Sequence, residues 1–267
     1  MIDLCVVNFQ TKDKLERLLE VLHQDLKTYD PPWNLYIAEN GSTDGSADFL
    51  AEEEWRYSIK HIDFNDNIGY ANACNKLASY GSAPILGLLN ADVWMTTGDV
   101  NRIARAFADP DVAILGPKQR NEYGEITHAG IFGTLTKPAH RGWREPDPLD
   151  EKYRDHLEAI TVSGSAYFVR RSIWELLTIC PTYTQWHAEI YQDKPEGAFL
   201  PTEHYYEESW TSWHAHAHNL KVYYHGYVSI GHTWHASHEI GSPQDQLFRK
   251  SQAIFRSACD YHNIPRD

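Results

Sequence analysis

Val6-Val7-Asn8-Phe9, Glu39-Asn40-Gly41-Ser42-Thr43-Asp44, Asn67-Ile68-Gly69-Tyr70-Ala71-Asn72 and Leu88-Leu89-Asn90-Ala91-Asp92 are the segments of this chain best equipped for chemistry. Each polar cluster follows, or lies just beyond, an apolar run that reads as a strand. In an open α/β sheet, ligands bind at the carboxyl ends of strands, so four such clusters predict one shared site. They offer carboxylates, amides and glycines, with no lysine-rich phosphate loop. That donor set suits a nucleotide held by hydrogen bonds, its diphosphate bridged by a divalent cation. Each cluster also has a purely structural reading. Asn40-Gly41 can be a turn, Ser42 or Asp44 can cap a helix, and so can Asp92.

The elements that must position these clusters follow from periodicity. Residues 2–8 form an apolar run without alternation, as a strand buried on both faces requires. Thr11 reads as the cap of a helix to about residue 29, with Leu15, Leu18, Leu19 and Leu22 on one face. Pro31-Pro32 stops it. Strands over 33–38, 58–64, 84–89 and 112–116 alternate with helices over 46–54, 70–79 and 98–108. That rhythm implies an α/β fold with a parallel sheet and right-handed crossovers. Beyond 116 the rhythm fails. Residues 117–160 hold many Gly, Pro and charged residues. A strand over 160–169 carries Ser163-Gly164-Ser165, and a short helix covers 170–177. The stretch 178–203 reads as irregular and rich in rings, the kind of long loop that is functional or mobile. A helix over 207–218, a strand over 221–230 and a helix over 243–261 complete the chain.

The bulk numbers remove some classes. The net charge of −13 argues against bulk nucleic-acid binding, which needs a basic footprint. With 267 residues, 42% of them hydrophobic, one large domain or two fused lobes can be buried. Cys5, Cys74, Cys180 and Cys259 show no CxxC spacing and read as core thiols of a reduced compartment. No apolar run approaches the roughly 20 residues of a membrane span. A strand beginning at Ile2 leaves no room for a signal peptide, so a cytoplasmic location is expected. Nine tryptophans and sixteen tyrosines could include platforms for sugar rings as well as packing.

In order and spacing, these motifs resemble a family 2 glycosyltransferase of the GT-A fold, with a rhamnosyltransferase-like pattern. Val6 to Gln10 is similar to the family's V-V-N-Y-N strand, and Glu39 to Ser46 to D-N-G-S-T-D-G-S with Glu39 in first place. Asn67, Gly69, Ala71 and Asn75 match N-x-G-x-A-x-x-x-N, and Leu88 to Asp92 matches L-L-N-P-D with Ala91 for proline. Later, Ser163 to Arg171 resembles S-G-x-x-x-x-x-R-R, Glu207-Glu208 an E-D pair opening a helix, and Val228 to Ser237 a V-x-H-x-x-x-x-S element. The likeness spans about residues 1–237. Glu39 and Glu208 stand where the family has aspartate, and 178–203 lacks its G-x-F-D-E.

The resemblance implies inverting, metal-dependent transfer of a sugar from a nucleotide-diphosphate donor, UDP- or dTDP-linked, to an acceptor hydroxyl. It implies a Rossmann-like nucleotide-sugar half over 1–116, a smaller acceptor and catalytic half over 117–237, and a helical tail over 238–267. Asn8, Glu39, Asn40 and Asp44 would hold the nucleoside, and Asn67 and Gly69 would let the backbone approach it. Asn90 would stand in for a missing carboxylate. Asp92 would bind Mn²⁺ or Mg²⁺, with His232 completing the shell. Gly164 would leave room for the donor sugar. Glu208 would be the catalytic base, with Glu207 about 100° away on the helix. The acceptor is a glycan, a protein side chain, a small molecule or a modified nucleobase. Residues 178–203 would serve the acceptor side and be mobile without ligand, with Trp186 and Tyr191 as platforms.

Two other classes compete. A nucleotidyltransferase would show a glycine-rich basic loop near the N-terminus, and residues 8–14 contain no glycine. A carbohydrate-binding protein with a degenerate GT-A site would keep the fold without the chemistry. His214 and His218 share a helix face, but no glutamate completes an H-E-x-x-H motif, so catalytic zinc is not expected.

Overall fold

Every residue of β1 (Ile2–Asn8) is buried. Ile2, Leu4 and Val6 pack into one apolar layer, and Cys5 and Val7 into the opposite one. A strand clad on both faces sits in the middle of a layered α/β sheet. The computed structural model describes residues 1–26, 33–57, 59–134, 137–233 and 243–264. After β1 come α1 (Lys12–Leu26), β2 (Trp33–Asn40), α2 (Ser46–Tyr57), β3 (Ile59–Phe64), α3 (Tyr70–Ala78), β4 (Ile85–Asn90), β5 (Val93–Trp94), α4 (Asp99–Ala106) and β6 (Val112–Arg120). The second half holds β7 (Ile126–His128), β8 (Ile131–Gly133), β9 (Pro138–His140), β10 (His156–Glu158), β11 (Ala166–Arg170), α5 (Arg171–Thr178), α6 (Pro181–Tyr191), α7 (Glu207–Ala217), β12 (Lys221–His232) and α8 (Pro243–Tyr261).

The main sheet runs β10-β12-β6-β11-β4-β1-β2-β3. β3, β2, β1 and β4 are mutually parallel, and β11 inserts antiparallel between β4 and β6. The strand order reverses beside β1, which is where an open α/β sheet offers its binding crevice. β6 runs across residue 116, so one sheet serves both halves of the chain. Leucines of α1 and residues of α4 cover one face, while α3, α5 and α7 cover the other. A third apolar cluster joins α6, α7 and α8.

Three expectations need correction. Only Ala166–Arg170 of the expected 160–169 strand is extended in the sheet; Ser163 and Gly164 lie in the loop before it. The stretch 178–203 is not irregular throughout. Cys180 is the N-cap of α6, and Pro181 occupies its first position, where a missing N–H costs nothing. Trp186 is buried against Tyr183 and Trp210, so it offers no face to a sugar. The segment after α6 is anchored by Asn75, whose amide donates to the Phe199 carbonyl at 2.9 Å and accepts from the Phe199 N–H at 3.1 Å. The third concerns Thr11, whose hydroxyl turns back to Asn8 Oδ1 at 2.8 Å. Asp44 instead accepts the orphan N–H of Lys12 at the start of α1, at 2.9 Å.

Candidate active site

The parallel register places Asn8 opposite Glu39 and Val7 opposite Asn90, so the ends of β1, β2 and β4 form one edge. The Asn8 amide donates to Glu39 Oε2 at 2.7 Å, and the Ser42 N–H donates to Glu39 Oε1 at 2.8 Å. Both carboxylate oxygens of the buried Glu39 are thereby engaged within the protein. Asn40 donates to Asn67 Oδ1 at 2.9 Å and accepts the Ile68 N–H at 3.1 Å. Asn67 Oδ1 also accepts the Gly69 N–H at 2.9 Å. Asn8, Glu39, Asn40 and Asn67 therefore join the loops after β1, β2 and β3. Gly41 closes this arrangement in the left-handed region, at φ +77°, where a Cβ would sit 2.8 Å from the backbone of Asp66.

Asp44 caps α2 through the Ser46 N–H and hydroxyl while holding Lys12. Burial pushes its carboxyl up, but the combined hydrogen bonds from Ser46 and Lys12 outweigh that and hold it below the ordinary range. Gly69 forms the N-cap of α3 at φ 84°.

Asp92 follows β4 and is brought to His232 by the sheet. Val93 pairs with His232 and Trp94 with Gly231, and the Thr233 N–H donates to the Asp92 carbonyl at 3.1 Å. His232 Nε2 approaches Asp92 Oδ1 to 3.4 Å without forming a hydrogen bond. Among the described residues Asp92 Oδ1 has no hydrogen-bond partner, although the atom is buried. A buried carboxylate oxygen left unmatched is costly, and a cation relieves it. An oxygen and an imidazole nitrogen this close fit Mn²⁺ or Mg²⁺, with further positions left for phosphate and water. Asn90 lies at the end of β4, half-buried, with its N–H donating to the Ser165 carbonyl at 2.9 Å. Ser237 lies outside the described residues.

The loop holding Gly164 runs between these strand ends and α7. The Tyr70 hydroxyl donates to the Gly164 carbonyl at 2.7 Å, Ser165 donates to Gln119 at 2.8 Å, and the Ser163 N–H faces His128 Nε2 at 3.4 Å. Burial pushes His128 down to about 3, with lesser contributions from His140, His232 and Arg141, so its ring is neutral and accepts this N–H. A Cβ on Gly164 would lie 3.0 Å from Glu207 Oε1 and 3.4 Å from Glu208 Cβ.

Both glutamates stand at this loop. Glu207 is buried and Glu208 half-buried. Burial, and then the charge of Glu208, drives the Glu207 carboxyl well above the ordinary range. Burial also raises Glu208, which is partly offset by hydrogen bonds from its own backbone, Ser209 and Glu207. Two carboxyls this close do not both ionise readily, so the pair holds a proton to higher pH than a lone glutamate, with Glu207 raised further than Glu208. Tyr205 and Tyr206, just before the pair, hold left-handed φ of 68° and 72°. Non-glycine residues rarely do so, and such strain gathers at functional sites. The sequence led us to expect only one of Glu207 and Glu208 at the site, with Glu208 as the base; it gave Tyr70 no role within its segment and did not point to His128. The adjacent Glu-Glu dipeptide was the available signal for a shared proton.

A separate cleft of about 460 Å³ opens beside β5 and β12, lined by Arg17, Trp94, Arg120, Tyr123 and Ser229 among others. None of the candidate site residues lines it.

Residues 3–177 match the model of glycosyl transferase family 2. Among solved structures, the crystal structure of GalNAc-T7 with UDP, GalNAc and Mn²⁺ is similar, with a TM-score of 0.62 and 13% identity, covering 91% of this chain and 45% of that one. The crystal structure of S. aureus TarS gives a TM-score of 0.56 at 13% identity, covering 98% of this chain and 43% of that one. Its 1–349 portion gives 0.50 at 12% identity, with 98% and 71% covered. This chain thus spans less than half the length of the first two. No curated protein matches it. At such identities the structural likeness speaks for the fold, and the family match supplies the rest: the chain has the GT-A fold and belongs to glycosyl transferase family 2.

Proposed function

We propose that the protein is an inverting glycosyltransferase that moves a sugar from a UDP- or dTDP-linked donor to an acceptor hydroxyl, with Mn²⁺ or Mg²⁺. The observation that carries this reading is the buried, unmatched Asp92 Oδ1 beside His232 Nε2 at a strand-end edge. The GalNAc-T7 structure, which holds UDP and Mn²⁺, supports the same ligand classes. Asp92 and His232 would hold the cation, whose charge would stabilise the departing diphosphate. The loops joined by Asn8, Glu39, Asn40, Asp44, Asn67 and Gly69 receive the nucleoside, and Gly164 leaves space for the donor sugar. The acceptor oxygen attacks the anomeric carbon from the face opposite the diphosphate. Its proton passes to Glu208, and the bond to the diphosphate breaks with its electron pair on the leaving oxygen. Residues 1–116 form the donor half and 117–237 the acceptor half, with a tail over 238–267 whose described part is the helix α8. The acceptor class is a glycan, a protein side chain, a small molecule or a modified nucleobase. No helix among the described residues is long and apolar enough to cross a membrane. We place the reaction in the cytoplasm.

Asp92→Asn tests the cation. It keeps the size and hydrogen-bonding shape while removing the charge. Calorimetry with UDP and dTDP in Mn²⁺ is expected to show at least about a tenfold loss of affinity, or 1.4 kcal/mol. Without metal, wild type and variant should bind equally weakly. Equal affinity in Mn²⁺ removes Asp92 from the site and, with it, the main support for this reading.

A further inference from the structure

A second group of metal-ligating side chains lies outside the site described above. Cys180 caps α6, while His214 and His218 stand one turn apart near the end of α7. One donor atom from each lies within 4.8 Å of the others. Cys180 Sγ and His218 Nε2 are 3.6 Å apart. Zn–S and Zn–N bonds of about 2.3 and 2.0–2.1 Å at a tetrahedral angle put sulfur and nitrogen about 3.5–3.6 Å apart. This pair already stands at that separation.

His214 supplies an independent observation. It is 1% exposed, and neither ring nitrogen has a hydrogen-bond partner. A buried imidazole with both nitrogens unmatched is uncommon in a native protein and calls for an explanation such as an ion. Its neighbours include Trp210 and Tyr183, which pack on it through their rings. Cys180 is itself buried, whereas His218 is exposed and gives an ion a way in. His262 adjoins the group, with ring centroids 5.5 Å from His214. Its Nδ1 must donate to the Ala258 carbonyl at 2.8 Å, so Nε2 carries the lone pair, and that atom is buried without a partner. The end of α7 also favours positive charge through its backbone dipole.

We propose that Cys180, His214 and His218 bind a structural Zn²⁺ ion that ties the start of α6 to the end of α7. A thiolate with two imidazoles selects a soft or borderline transition metal, whereas the carboxylate at Asp92 suits a hard cation. The proposal is independent of the catalytic reading. It also differs from a catalytic H-E-x-x-H centre, since no carboxylate among the described residues joins the ligands and Trp210 and Tyr183 pack against the buried imidazole.

The test uses the full-length protein, stripped with a chelator and then titrated with Zn²⁺ and Co²⁺. One equivalent of Co²⁺ is expected to give the intense visible bands of a tetrahedral site and a thiolate-to-cobalt charge-transfer band. Cys180→Ser should abolish the charge-transfer band, and it should fold, because serine is a favoured N-cap. His218→Gln alters an exposed side chain. It should weaken Zn²⁺ by roughly a hundredfold or more, at or beyond the upper end of the 10- to 100-fold cost of losing an outer-shell partner. Asp92→Asn should leave the cobalt spectrum unchanged, which separates this site from the donor cation. Failure to take up one equivalent, or uptake that survives both Cys180→Ser and His218→Gln, overturns the proposal.

Discussion

Replacing Glu208 with glutamine is expected to lower turnover by about 10²- to 10⁴-fold while donor affinity barely changes, the usual worth of a general base. Burial raises both carboxyls, Glu207 the further, so Glu208 is the more readily ionised of the two and the better proton acceptor. Glutamine at 207 is also neutral and can still donate to Glu208. Glu207→Gln should therefore keep turnover within about tenfold of wild type, well above the general-base loss. The pH profile separates the roles further. Burial raises both groups, and a base must lose its proton, so activity should rise with pH through a value above the ordinary glutamate range. Carboxyls whose folded pKa is raised favour the native state most at low pH, and that contribution fades as pH rises through the folded value. Glu207→Gln should accordingly make the protein more stable at neutral pH. Steady-state kinetics and thermal melts across pH check both statements. If Glu207→Gln loses the activity and Glu208→Gln keeps it, the base is Glu207.

The largest loss of stability is expected from Lys118→Met, at about 3–5 kcal/mol, the typical cost of removing one partner from a buried ion pair. Lys118 is wholly buried. Its ammonium donates to Asp147 Oδ2 at 2.9 Å and to the Lys152 carbonyl at 2.7 Å. It also lies 2.6 Å from Asp150, an ion contact without hydrogen-bond geometry. This lysine, together with Arg120, whose guanidinium donates to the Asp147 carbonyl at 2.9 Å, holds the polar segment around 147–152 against β6. Burial alone would push Asp147 up, but hydrogen bonds from Lys118 and the N–H groups of Lys152 and Glu151 together hold it below its ordinary value. A depressed carboxylate stabilises the fold above its unfolded pKa, and that contribution is lost as pH falls through the folded value. The gap between wild type and Lys118→Met should therefore narrow on acidification. Denaturant melts at neutral and acid pH measure it. A loss under about 1 kcal/mol at neutral pH would place the pair in the class of solvated surface bridges.

The parallel half was legible because its strands are buried on both faces, which leaves apolar runs such as 2–8 and 85–89 in the sequence. β5, β7, β8, β9 and β10 have two or three residues each, too few for any period to show, and β5 and β10 pair with β12, which lies far off in the chain. α6 was legible but misread. Pro181 opens it, and Tyr183, Trp186, His187 and Tyr191 recur at helical spacing, yet Trp186 and Tyr191 were assigned to a ligand. At the site, the motif order pointed to Asp92 and His232 as partners, which the short β5–β12 pairing sets side by side. The polar residues at the ends of β1 and β2 were read as reaching for a nucleoside. Their side chains bond chiefly to one another, a choice that depends on register and is invisible in composition.

Gly164 sets a limit on redesign. Its carbonyl is held by Tyr70, its neighbour Ser165 is bonded to the end of β4, and its open side looks onto the paired glutamates. Even one methyl group there would lie 3.0 Å from Glu207 Oε1, so the carboxyl would have to give way. A substitution meant only to reshape the proposed sugar cavity at this position would also displace one of the paired glutamates. On the proposed reading, changing substrate preference while leaving the glutamates in place begins from other walls of the cavity.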